Sequence, residues 1–471
     1  MADTIYDVAI IGSGPAGYTA AIRAGQLGLK AALIEKDPYL GGTCLHVGCI
    51  PTKALLFNAE VFDHVKDGPA LGFENTAGVT LNWPNIQTRK QGIVDKHTKG
   101  LSFLMKKNRV TVIEGYGKLT GPATGGIHTV EVEGKNGKST VSAKNVILST
   151  GSVARMLPGL QADDRILSNI EVLSLDAIPK SLIVIGSGAV GVEFASIYKS
   201  FGTDVTILEM LPRYVPVEDE EVSKELMRVY RKRGINGFVN AKVEKVERTK
   251  DGVAVTFTVD GKQQKLEADK VLIAVGRAPR TENVGIENTK IEVERGFVKT
   301  DEYMRTAEPG IYAIGDIAMG YPQLAHAGAM EGIVAVTHIS GKPTKPINKS
   351  RIPNATYCHP EIGSVGLTEA KAKEQGCDVK VGKFPFTANS RASIVGQHDG
   401  FVKIVTDAQH GEILGVHIIG PTATELIAES VVALEMECTA EDLANIIHAH
   451  PTLSEAMLDA ANAVFGMAIN A

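Results

Sequence analysis

The pattern that most constrains this chain is a strand, a glycine-rich turn, a helix and a second strand that ends in an acid. Glycines at this spacing permit a tight turn and the close approach of a pyrophosphate to the helix N-terminus, and the acid can bind ribose hydroxyls. The stretch therefore predicts a dinucleotide-binding unit. In chain order its parts are a buried strand over 7–11, Gly12, Gly14, Gly17, a helix over 18–27, a strand over 31–34 and Glu35.

The same pattern returns later in the chain. Two complete copies are difficult to explain without two bound dinucleotides, and each copy predicts parallel strands covered by helices. The parts of the second copy are a strand over 181–185, Gly186, Gly188, Gly191, a helix through 198, a strand over 204–208 and Glu209.

Glu209 bears on which dinucleotide the second copy binds. A carboxylate accepts a hydrogen bond from the 2′-hydroxyl of NAD and repels the 2′-phosphate of NADP. We therefore predict NAD. Arg213 lies close by in the sequence and can offset the repulsion, so NADP stays the alternative.

Two cysteines, Cys44 and Cys49, stand close together among glycines. Pro51 suits the first turn of a helix, and we predict a helix from there through 57. Thiols near a helix N-terminus are stabilised as thiolates, which are the reactive form. Because no export signal is visible, we interpret the pair as catalytic or redox-sensing, with a purely structural pair as the alternative.

The stretch 448–455 reads His-Ala-His-Pro-Thr-Leu-Ser-Glu and offers an acid–base pair. Histidine titrates near neutral pH, which suits a base that takes a proton from a thiol. Pro451 restricts the backbone of His450 to an extended conformation. Glu455 is close enough in sequence to orient one ring nitrogen. A capped turn with a structural histidine is the alternative.

Composition excludes several classes of function. The formal net charge of −5 offers no basic face for nucleic acid. No stretch approaches the ~18 uninterrupted apolar residues of a membrane helix, and the N-terminal residues show no export signal. The five cysteines make an odd count with one close pair, which is typical of a cytoplasmic protein. We expect no metal site.

The rest of the chain predicts further elements. We expect mostly helix over 52–108, with a break at Trp83 and Pro84, and then a strand over 110–117 and a hairpin over 129–141. After a polar linker near 341–350 the pattern changes. Alternating strands are predicted over 401–406 and 413–419, and helices over 424–437 and 440–447, the second with Thr439 as its N-cap.

The chain resembles the flavin disulfide reductases of the pyridine nucleotide-disulfide oxidoreductase family over its whole length. The resemblance is carried by the stretch 41–53, the two glycine patterns, the 310–316 turn and the stretch 448–455. It implies an α/β fold of two Rossmann-like domains, one for FAD and one for NAD, with a C-terminal α+β antiparallel-sheet dimerisation domain. The implied limits are 1–152 for the FAD domain, 153–275 for the NAD domain, 276–346 for a central domain that completes the FAD site, and 347–471 for the interface domain.

The resemblance also implies roles for individual residues. Cys44 and Cys49 form the redox disulfide, and His450, rather than His448, carries the proton with Glu455 as its partner. The implied FAD site comprises Gly12, Gly14, Gly17, Glu35, Thr43, Lys53, Gly117, Thr150, Gly151, Ser152, Asp316 and Ala325. The implied NAD site comprises Gly186, Gly188, Gly191, Glu193, Glu209 and Gly276, and Lys53 with Glu193 is an implied ion pair beside the flavin.

Within the family, the residues after Cys49 are most similar to members that reoxidise dihydrolipoamide and reduce NAD. This similarity implies a homodimer that serves the lipoyl domains and acyltransferase core of 2-oxoacid dehydrogenase complexes, or the glycine cleavage system. Members that take NADP or carry a further C-terminal cysteine pair fit less well, since Glu209 is acidic and the last cysteine is Cys438. A non-catalytic flavoprotein that acts as a scaffold or surface adhesin is the alternative from another class. His46 and Gln323 depart from the family pattern.

Overall fold

The computed structural model describes residues 4–470, which form two compact units. The first unit contains the residues up to 54 together with 85–155 and 277–347. The second contains 55–84, 156–276 and the residues from 348 onward. Each unit is therefore assembled from segments that are distant in sequence. The limits of the four predicted domains stay a prediction.

No helix within residues 4–470 combines the length and the apolarity needed to cross a membrane. The described helices are α1 (Pro15–Gln26), α2 (Gly42–Val47), α3 (Cys49–Lys66), α4 (Trp83–Lys107), α5 (Ala189–Ser200), α6 (Glu220–Lys232), α7 (Ala325–Ile339), α8 (Glu369–Glu374), α9 (Ser390–Val395), α10 (Ala423–Glu435), α11 (Ala440–Ala444) and α12 (Glu455–Ala463).

The strands fall into parallel and antiparallel sheets. They are β1 (Ile5–Ile11), β2 (Ala31–Glu35), β3 (Thr111–Glu114), β4 (Tyr116–Leu119), β5 (His128–Gly134), β6 (Gly137–Leu148), β7 (Ser152–Ala154), β8 (Ile166–Leu167), β9 (Ser181–Ile185), β10 (Asp204–Leu208), β11 (Asn236–Phe238), β12 (Lys242–Arg248), β13 (Val253–Val259), β14 (Lys262–Ala268), β15 (Lys270–Ile273), β16 (Arg277–Pro279), β17 (Val293–Glu294), β18 (Phe297–Val298), β19 (Ile311–Ala313), β20 (Asn354–Thr356), β21 (Glu361–Gly366), β22 (Val379–Pro385), β23 (Phe401–Asp407) and β24 (Ile413–Gly420).

The first unit is centred on a sheet with the order β3-β2-β1-β6-β5-β4, in which β19 also pairs with β6. β1, β2, β3, β6 and β19 run parallel, and β4 and β5 continue the sheet antiparallel. Residues 8–11 and 31–34 are buried, as expected for central parallel strands. The α/β arrangement predicted from the first glycine pattern is confirmed.

One strand prediction in this unit was wrong. The stretch 110–117 was expected to form a single strand, but β3 ends at Glu114 and β4 begins at Tyr116. Gly115 between them has a φ of 153°, and its amide donates to the Glu35 carbonyl at 2.8 Å. β3 pairs parallel with β2, whereas β4 pairs antiparallel with β5. The break at Gly115 therefore lets the chain change partner strands.

The helix prediction around the cysteines was also wrong in its start. The helix expected to open at Pro51 begins at Cys49, and the short helix α2 precedes it. Gly48 separates the two helices, and a Cβ on Gly48 would lie 2.8 Å from the Thr43 carbonyl oxygen. The two helices therefore approach each other closely at Gly48.

The second unit repeats the parallel design in a sheet with the order β11-β10-β9-β15-β8. β9 and β10 have the limits predicted from the sequence. A separate antiparallel sheet, β12-β13-β14, follows in the chain. Its Val255 and Phe257 belong to the same buried cluster as Ile183 and Leu208 of the parallel sheet, so the two sheets share one core.

The C-terminal part of the second unit is an antiparallel sheet with the order β20-β21-β24-β23-β22. Its strands and α10 and α12 share a buried core that includes Phe384, Ile404 and Met457. The predicted antiparallel sheet with helices is thus confirmed. Thr439 caps α11 through a capping box with Asp442, but the helix ends at Ala444 rather than at 447.

A buried ammonium ties this C-terminal sheet to the start of α6. The Lys403 side chain is 2% exposed, and its Nζ lies 3.0 Å from Asp219 Oδ1, 2.9 Å from Glu221 Oε2 and 2.8 Å from Glu369 Oε2. Asp219 is also the N-cap of α6. We name these four residues the Lys403 cluster. Buried charges of this kind need partners, and here three carboxylates supply them.

Candidate active site

Three glycines shape the turn between β1 and α1. Gly12 has a φ of 103°, and a Cβ on it would lie 2.2 Å from the Ser149 carbonyl oxygen. A Cβ on Gly17 would lie 1.9 Å from the Gly12 carbonyl oxygen. Gly14, the N-cap of α1, has nothing within 4 Å of an added Cβ. That open space in front of a helix N-terminus fits a pyrophosphate, which a side chain at Gly14 would displace.

The turn between β9 and α5 has the same geometry. Gly186 has a φ of 99°, and its Cβ would lie 2.4 Å from the Ala274 carbonyl oxygen. The Cβ of Gly191 would lie 2.0 Å from the Gly186 carbonyl oxygen, and Gly188, the N-cap of α5, has nothing within 4 Å. The structure therefore contains two turns that can each accept a dinucleotide.

Each predicted ribose-binding acid also closes its own turn. Glu35 Oε2 accepts from the Ser13 amide at 2.8 Å and from its hydroxyl at 2.6 Å. Glu209 Oε2 accepts from the amide and the hydroxyl of Ser187, both at 2.7 Å. The other oxygens of the two carboxylates accept from the amides of Asp37 and Leu211. A carboxylate has about four acceptor positions, so both acids keep capacity for a ribose hydroxyl.

A cavity of about 410 Å³ opens beside Glu35. Its walls include Tyr39, Leu40, Met105 and Val112 as well as the carboxylate of Glu35. Apolar walls beside the hydrogen-bonded carboxylate of Glu35 suit the flat base and the ribose of a nucleotide.

Asp316 stands at the end of β19, where a short 3-10 turn spans Gly315–Ile317. Its carboxylate accepts from the Ser152 hydroxyl. Arg277 donates through Nε to the same hydroxyl at 2.7 Å, and its guanidinium lies 3.8 Å from Asp316. Burial lowers the pKa of Arg277, an effect that the charge of Asp316 opposes. The predicted Ser152 and Asp316 therefore lie together, and Arg277 joins them.

α7 begins at Ala325, the residue predicted to meet the flavin. The first turn of a helix leaves its amides without intrahelical partners, so they can point at a ligand. Gln323 Nε2 donates to the Asp316 carbonyl at 3.1 Å. Glu331, on the next turns of α7, is fully buried and accepts from the Gly315 amide at 2.6 Å. α7 is thus held directly to the Asp316 turn.

The two predicted redox cysteines flank Gly48. Cys44 lies inside α2 and Cys49 is the first residue of α3. Both are thiols, with no disulfide between them. A hydrogen bond with Cys49, together with burial, raises the pKa of the Cys44 thiol, and the charge of Lys53 opposes that rise. The two sulfurs are therefore adjacent, and they do not both ionise.

His46 lies between the two cysteines in the sequence, and Tyr18 is close enough to both to be influenced by their charge. His46 Nε2 donates to the Leu40 carbonyl at 2.8 Å, and its ring lies 4.5 Å from that of Tyr39. Burial raises the pKa of Tyr18, and the negative charge of the cysteines raises it further. His46 thus anchors α2 to the segment before it, whereas Tyr18 faces the thiols.

Gly117, Thr150, Gly151 and Thr43 are further predicted contacts in the first unit. A Cβ on Gly117 would lie 3.1 Å from the side chain of Ile34 and 3.2 Å from that of Ile11. The Thr150 hydroxyl donates to the Arg280 carbonyl, and Gly151 has a φ of 72°. Thr43 is the second residue of α2.

In the second unit, Gly276 and Glu193 complete the predicted nicotinamide site. Gly276 has a φ of 104° and nothing within 4 Å of an added Cβ. Glu193 is 4% exposed, and its Oε1 accepts from the Tyr357 amide at 2.9 Å. The ion pair of Glu193 with Lys53 would join residues of different units and stays a prediction.

The predicted acid–base pair forms within the second unit. His450 Nδ1 lies 2.8 Å from Glu455 Oε1, and the other oxygen of Glu455 accepts from the Thr452 amide at 2.7 Å. Burial acts to raise the pKa of Glu455, but the Thr452 amide and His450 outweigh it and lower the pKa. The His450 side chain is 70% exposed. Its Nε2, which makes no hydrogen bond within residues 4–470, is the nitrogen available for a substrate.

Sequence reasoning missed several residues that complete these sites. Ser13 and Ser187 stand inside the glycine turns, where only the glycines carry a pattern. Arg277 and Glu331 act from strands and helices whose sequence shows nothing unusual. Spacing along the chain gave no sign of these four, since their partners are distant in sequence.

Comparison with known proteins agrees with this geometry. Residues 6–332 match the family described as pyridine nucleotide-disulphide oxidoreductase, and residues 352–461 match its dimerisation domain. A dihydrolipoyl dehydrogenase from Bacillus subtilis (strain 168) is 45% identical, with 99% of each chain covered. One from Mycobacterium tuberculosis (strain ATCC 25618 / H37Rv) is 42% identical, with 99% of this chain and 100% of that one covered.

Solved structures give the same result. LpdA from Mycobacterium tuberculosis superposes with a TM-score of 0.90 at 31% identity, with 97% of this chain and 98% of that chain covered. The HOCl-induced flavoprotein disulfide reductase RclA from Escherichia coli, as its Cu(II) complex, has a TM-score of 0.86 at 26% identity, with 98% and 99% covered. The family uses FAD and NAD. Two dinucleotide turns, an adjacent thiol pair and these full-length matches together make the chain a member of the pyridine nucleotide-disulphide oxidoreductase family.

Proposed function

We propose that this chain acts as a dihydrolipoyl dehydrogenase, which oxidises protein-bound dihydrolipoamide and reduces NAD. The observation that carries the proposal is the hydrogen-bonded thiol pair of Cys44 and Cys49, in the same unit as the first glycine turn. Relatives with that activity in their name match the chain over its whole length, which supports the same substrate here.

FAD is assigned to the first unit. The turn at Gly12, Gly14 and Gly17 would hold its pyrophosphate, and the cavity beside Glu35 would hold its adenosine end. The other residues assigned to FAD are Thr43, Lys53, Gly117, Thr150, Gly151, Ser152, Asp316 and Ala325. NAD is assigned to Gly186, Gly188, Gly191, Glu193, Glu209 and Gly276.

The bound flavin would supply a two-electron acceptor for the thiol pair and a hydride donor for NAD. In the oxidised enzyme, Cys44 and Cys49 form a disulfide. His450 Nε2 takes a proton from one substrate thiol, and the thiolate attacks Cys44 Sγ, so that the Cys44–Cys49 bond breaks and Cys49 leaves as a thiolate. The second substrate thiol attacks the mixed disulfide and closes the lipoamide disulfide, and its proton passes to Cys44 as that sulfur is released.

The state of the enzyme after this exchange follows from the structure of the thiol pair. The hydrogen bond with Cys49 and burial raise the pKa of the Cys44 thiol, so we expect the reduced pair to hold one proton and one negative charge. Glu455 holds Nδ1 of His450 and stabilises the imidazolium that forms.

The proposal is tested with the purified protein, free dihydrolipoamide and either NAD or NADP. We expect NADH to form, and heat should release FAD as the only flavin. A holoenzyme that contains FAD but does not reduce NAD with dihydrolipoamide would disprove the proposed substrate. Release of FMN would disprove the assignment of the first unit.

The charge of Glu209 should set the cofactor preference. Glu209→Gln keeps an acceptor for the Ser187 amide but removes the charge that repels a 2′-phosphate. We expect the kcat/KM ratio of NADP to NAD to rise about tenfold. Glu35→Gln, at the matching position of the first turn, should leave that ratio unchanged. The argument fails if the unmodified protein already uses NADP as well as NAD.

The proposed enzyme is a homodimer in which His450 of one subunit serves the cysteines of the other. The match of residues 352–461 to a dimerisation domain supports a dimer. Mixing Cys49→Ala and His450→Ala subunits under mild denaturant should restore activity to at most about a quarter of the unmodified level, because half of the dimers are mixed and each has one working site of two. Exchange of subunits without recovered activity would place the whole site in one chain.

The proposed partners are the lipoyl domains and acyltransferase core of 2-oxoacid dehydrogenase complexes, in the cytoplasm. The names of the relatives support this assignment, since dihydrolipoyl groups are carried by such domains. We also propose the domain limits 1–152, 153–275, 276–346 and 347–471. The limits of the two family matches support the last of these divisions.

A further inference from the structure

The segment 445–454, between α11 and α12, contains a second histidine that the proposed reaction does not use. The His448 side chain is 6% exposed, whereas that of His450 is 70% exposed. Buried polar groups in proteins are almost always held by hydrogen bonds. The partners of the His448 ring therefore indicate its role.

Both nitrogens of the His448 ring face acceptors. Nδ1 lies 3.0 Å from the Ile446 carbonyl oxygen, and Nε2 lies 2.8 Å from Glu429 Oε1. The Ile446 carbonyl can only accept, so Nδ1 donates to it, and Nε2 makes its hydrogen bond with the Glu429 carboxyl group. A short hydrogen bond thus joins the basic ring of His448 to the acid Glu429, and we call this contact the ion pair of His448 with Glu429.

This ion pair connects the segment to a rigid part of the fold. Glu429 lies on α10, whose Ile427 and Leu434 belong to the same buried core as Met457 and Ala460 of α12. α12 begins with Glu455, the partner of His450. The segment is therefore tied through one histidine to α10 and through the other to α12.

We infer that the ion pair of His448 with Glu429 positions His450 for proton transfer. A general base works only within hydrogen-bond reach of the proton that it takes, and His450 is two residues from the fixed ring of His448. The role rests on the proposed function. The pKa of Glu455 depends first on burial, which raises it, and then on the Thr452 amide and His450, which lower it. The charge of His448 lowers it further.

The test removes either partner from the holoenzyme. His448→Phe removes both ring nitrogens, and Glu429→Leu removes the carboxyl group that pairs with the ring. The Glu429 side chain is 31% exposed, so Glu429→Leu should fold and keeps the test decisive if His448→Phe does not. We expect kcat with dihydrolipoamide to fall about tenfold, which is part of the roughly 10²–10⁴-fold contribution of a general base. Reduction of an artificial dye by NADH, which needs no proton from a thiol, should change less than twofold.

The double variant and a conservative variant distinguish positioning from general damage. His448→Phe with Glu429→Leu should lose no more than either single change, because the two residues act as one unit. Glu429→Gln can still hydrogen-bond a neutral His448 ring, so it should recover most of kcat. The matched controls are Glu425→Leu, an exposed site on α10, and His410→Phe, an exposed site in the same unit. Both should behave as the unmodified protein.

Hydrogen–deuterium exchange gives a readout that does not need turnover. Exchange of the amides in 445–454 should rise in Glu429→Leu and stay unchanged in Glu425→Leu. The inference is overturned if Glu429→Leu keeps kcat within twofold and its exchange does not rise. An unmodified holoenzyme without dihydrolipoamide activity would instead refute the proposed function, and the exchange result would still decide whether the ion pair fixes the segment.

Discussion

Serine in place of Cys44 or Cys49 should lower dihydrolipoamide oxidation by at least about 10⁴-fold, because loss of a nucleophile from a catalytic unit removes most of its rate enhancement. Serine has nearly the shape of cysteine, but its hydroxyl does not ionise at neutral pH and cannot form a disulfide. The two positions are not equivalent in mechanism, yet each half of the disulfide is required. Either single change should therefore be as damaging as both together. Turnover is measured as NADH formation from dihydrolipoamide.

Two other cysteines serve as controls for this result. Cys377 and Cys438 are also partly exposed thiols, and neither has a cysteine beside it in the sequence. Cys377→Ser and Cys438→Ser should keep turnover within about twofold, since surface substitutions usually cost little. If Cys44→Ser or Cys49→Ser kept a tenth of the activity or more, a reaction through a protein disulfide would be excluded.

Methionine in place of Lys403 should lower the free energy of unfolding of the second unit by about 3–5 kcal/mol, the usual cost of breaking a buried ion pair. The change leaves Asp219, Glu221 and Glu369 with like charges and no shared cation. Lys373→Met is the matched control, because Lys373 also pairs with Glu369 but its side chain is 59% exposed. That change should cost less than about 0.5 kcal/mol. Urea unfolding followed by circular dichroism measures both.

The cost of losing Lys403 should depend on pH. Hydrogen bonds from Lys373, the larger effect, and from Lys403 lower the pKa of Glu369 from 4.5 to about 2. The contribution of Glu369 to the free energy of unfolding is therefore complete above pH 4.5 and is lost as the pH falls toward 2. Burial acts to lower the pKa of Lys403, but the three carboxylates outweigh it and raise the pKa, so its charge persists at neutral pH. The difference between Lys403→Met and the unmodified protein should shrink on acidification, and a constant difference would contradict the electrostatic account.

The parts of the fold that sequence could predict are those that a local pattern determines. β9 and β10 have their predicted limits because a short apolar run bounded by glycine and acid specifies a buried parallel strand. Thr439 was predictable as an N-cap because capping needs only a side chain and the next three residues. The tight geometry of the two glycine turns was predictable for the same reason.

The parts that sequence could not predict depend on distant partners or on very short elements. α2 has six residues and a glycine at each capping position, and six residues are too few for helical periodicity to be visible. The division at Gly115 arises because β3 and β4 pair with different strands. Arg277 reaches Ser152 and Asp316 only after the chain has folded. His448 and His450 are only two residues apart in the sequence, but they contact different helices, α10 and α12.

The near identity of the two glycine turns has a consequence for ligand discrimination. Gly12 and Gly186 have φ angles of 103° and 99°. Glu35 accepts from the amide and hydroxyl of Ser13 just as Glu209 accepts from those of Ser187. Contacts that are the same at both sites cannot discriminate a flavin from a nicotinamide, because they involve only the diphosphate and the ribose that FAD and NAD share. Discrimination must then come from what surrounds each turn, and an exchange of the two turns between the sites should leave each ligand in its own place.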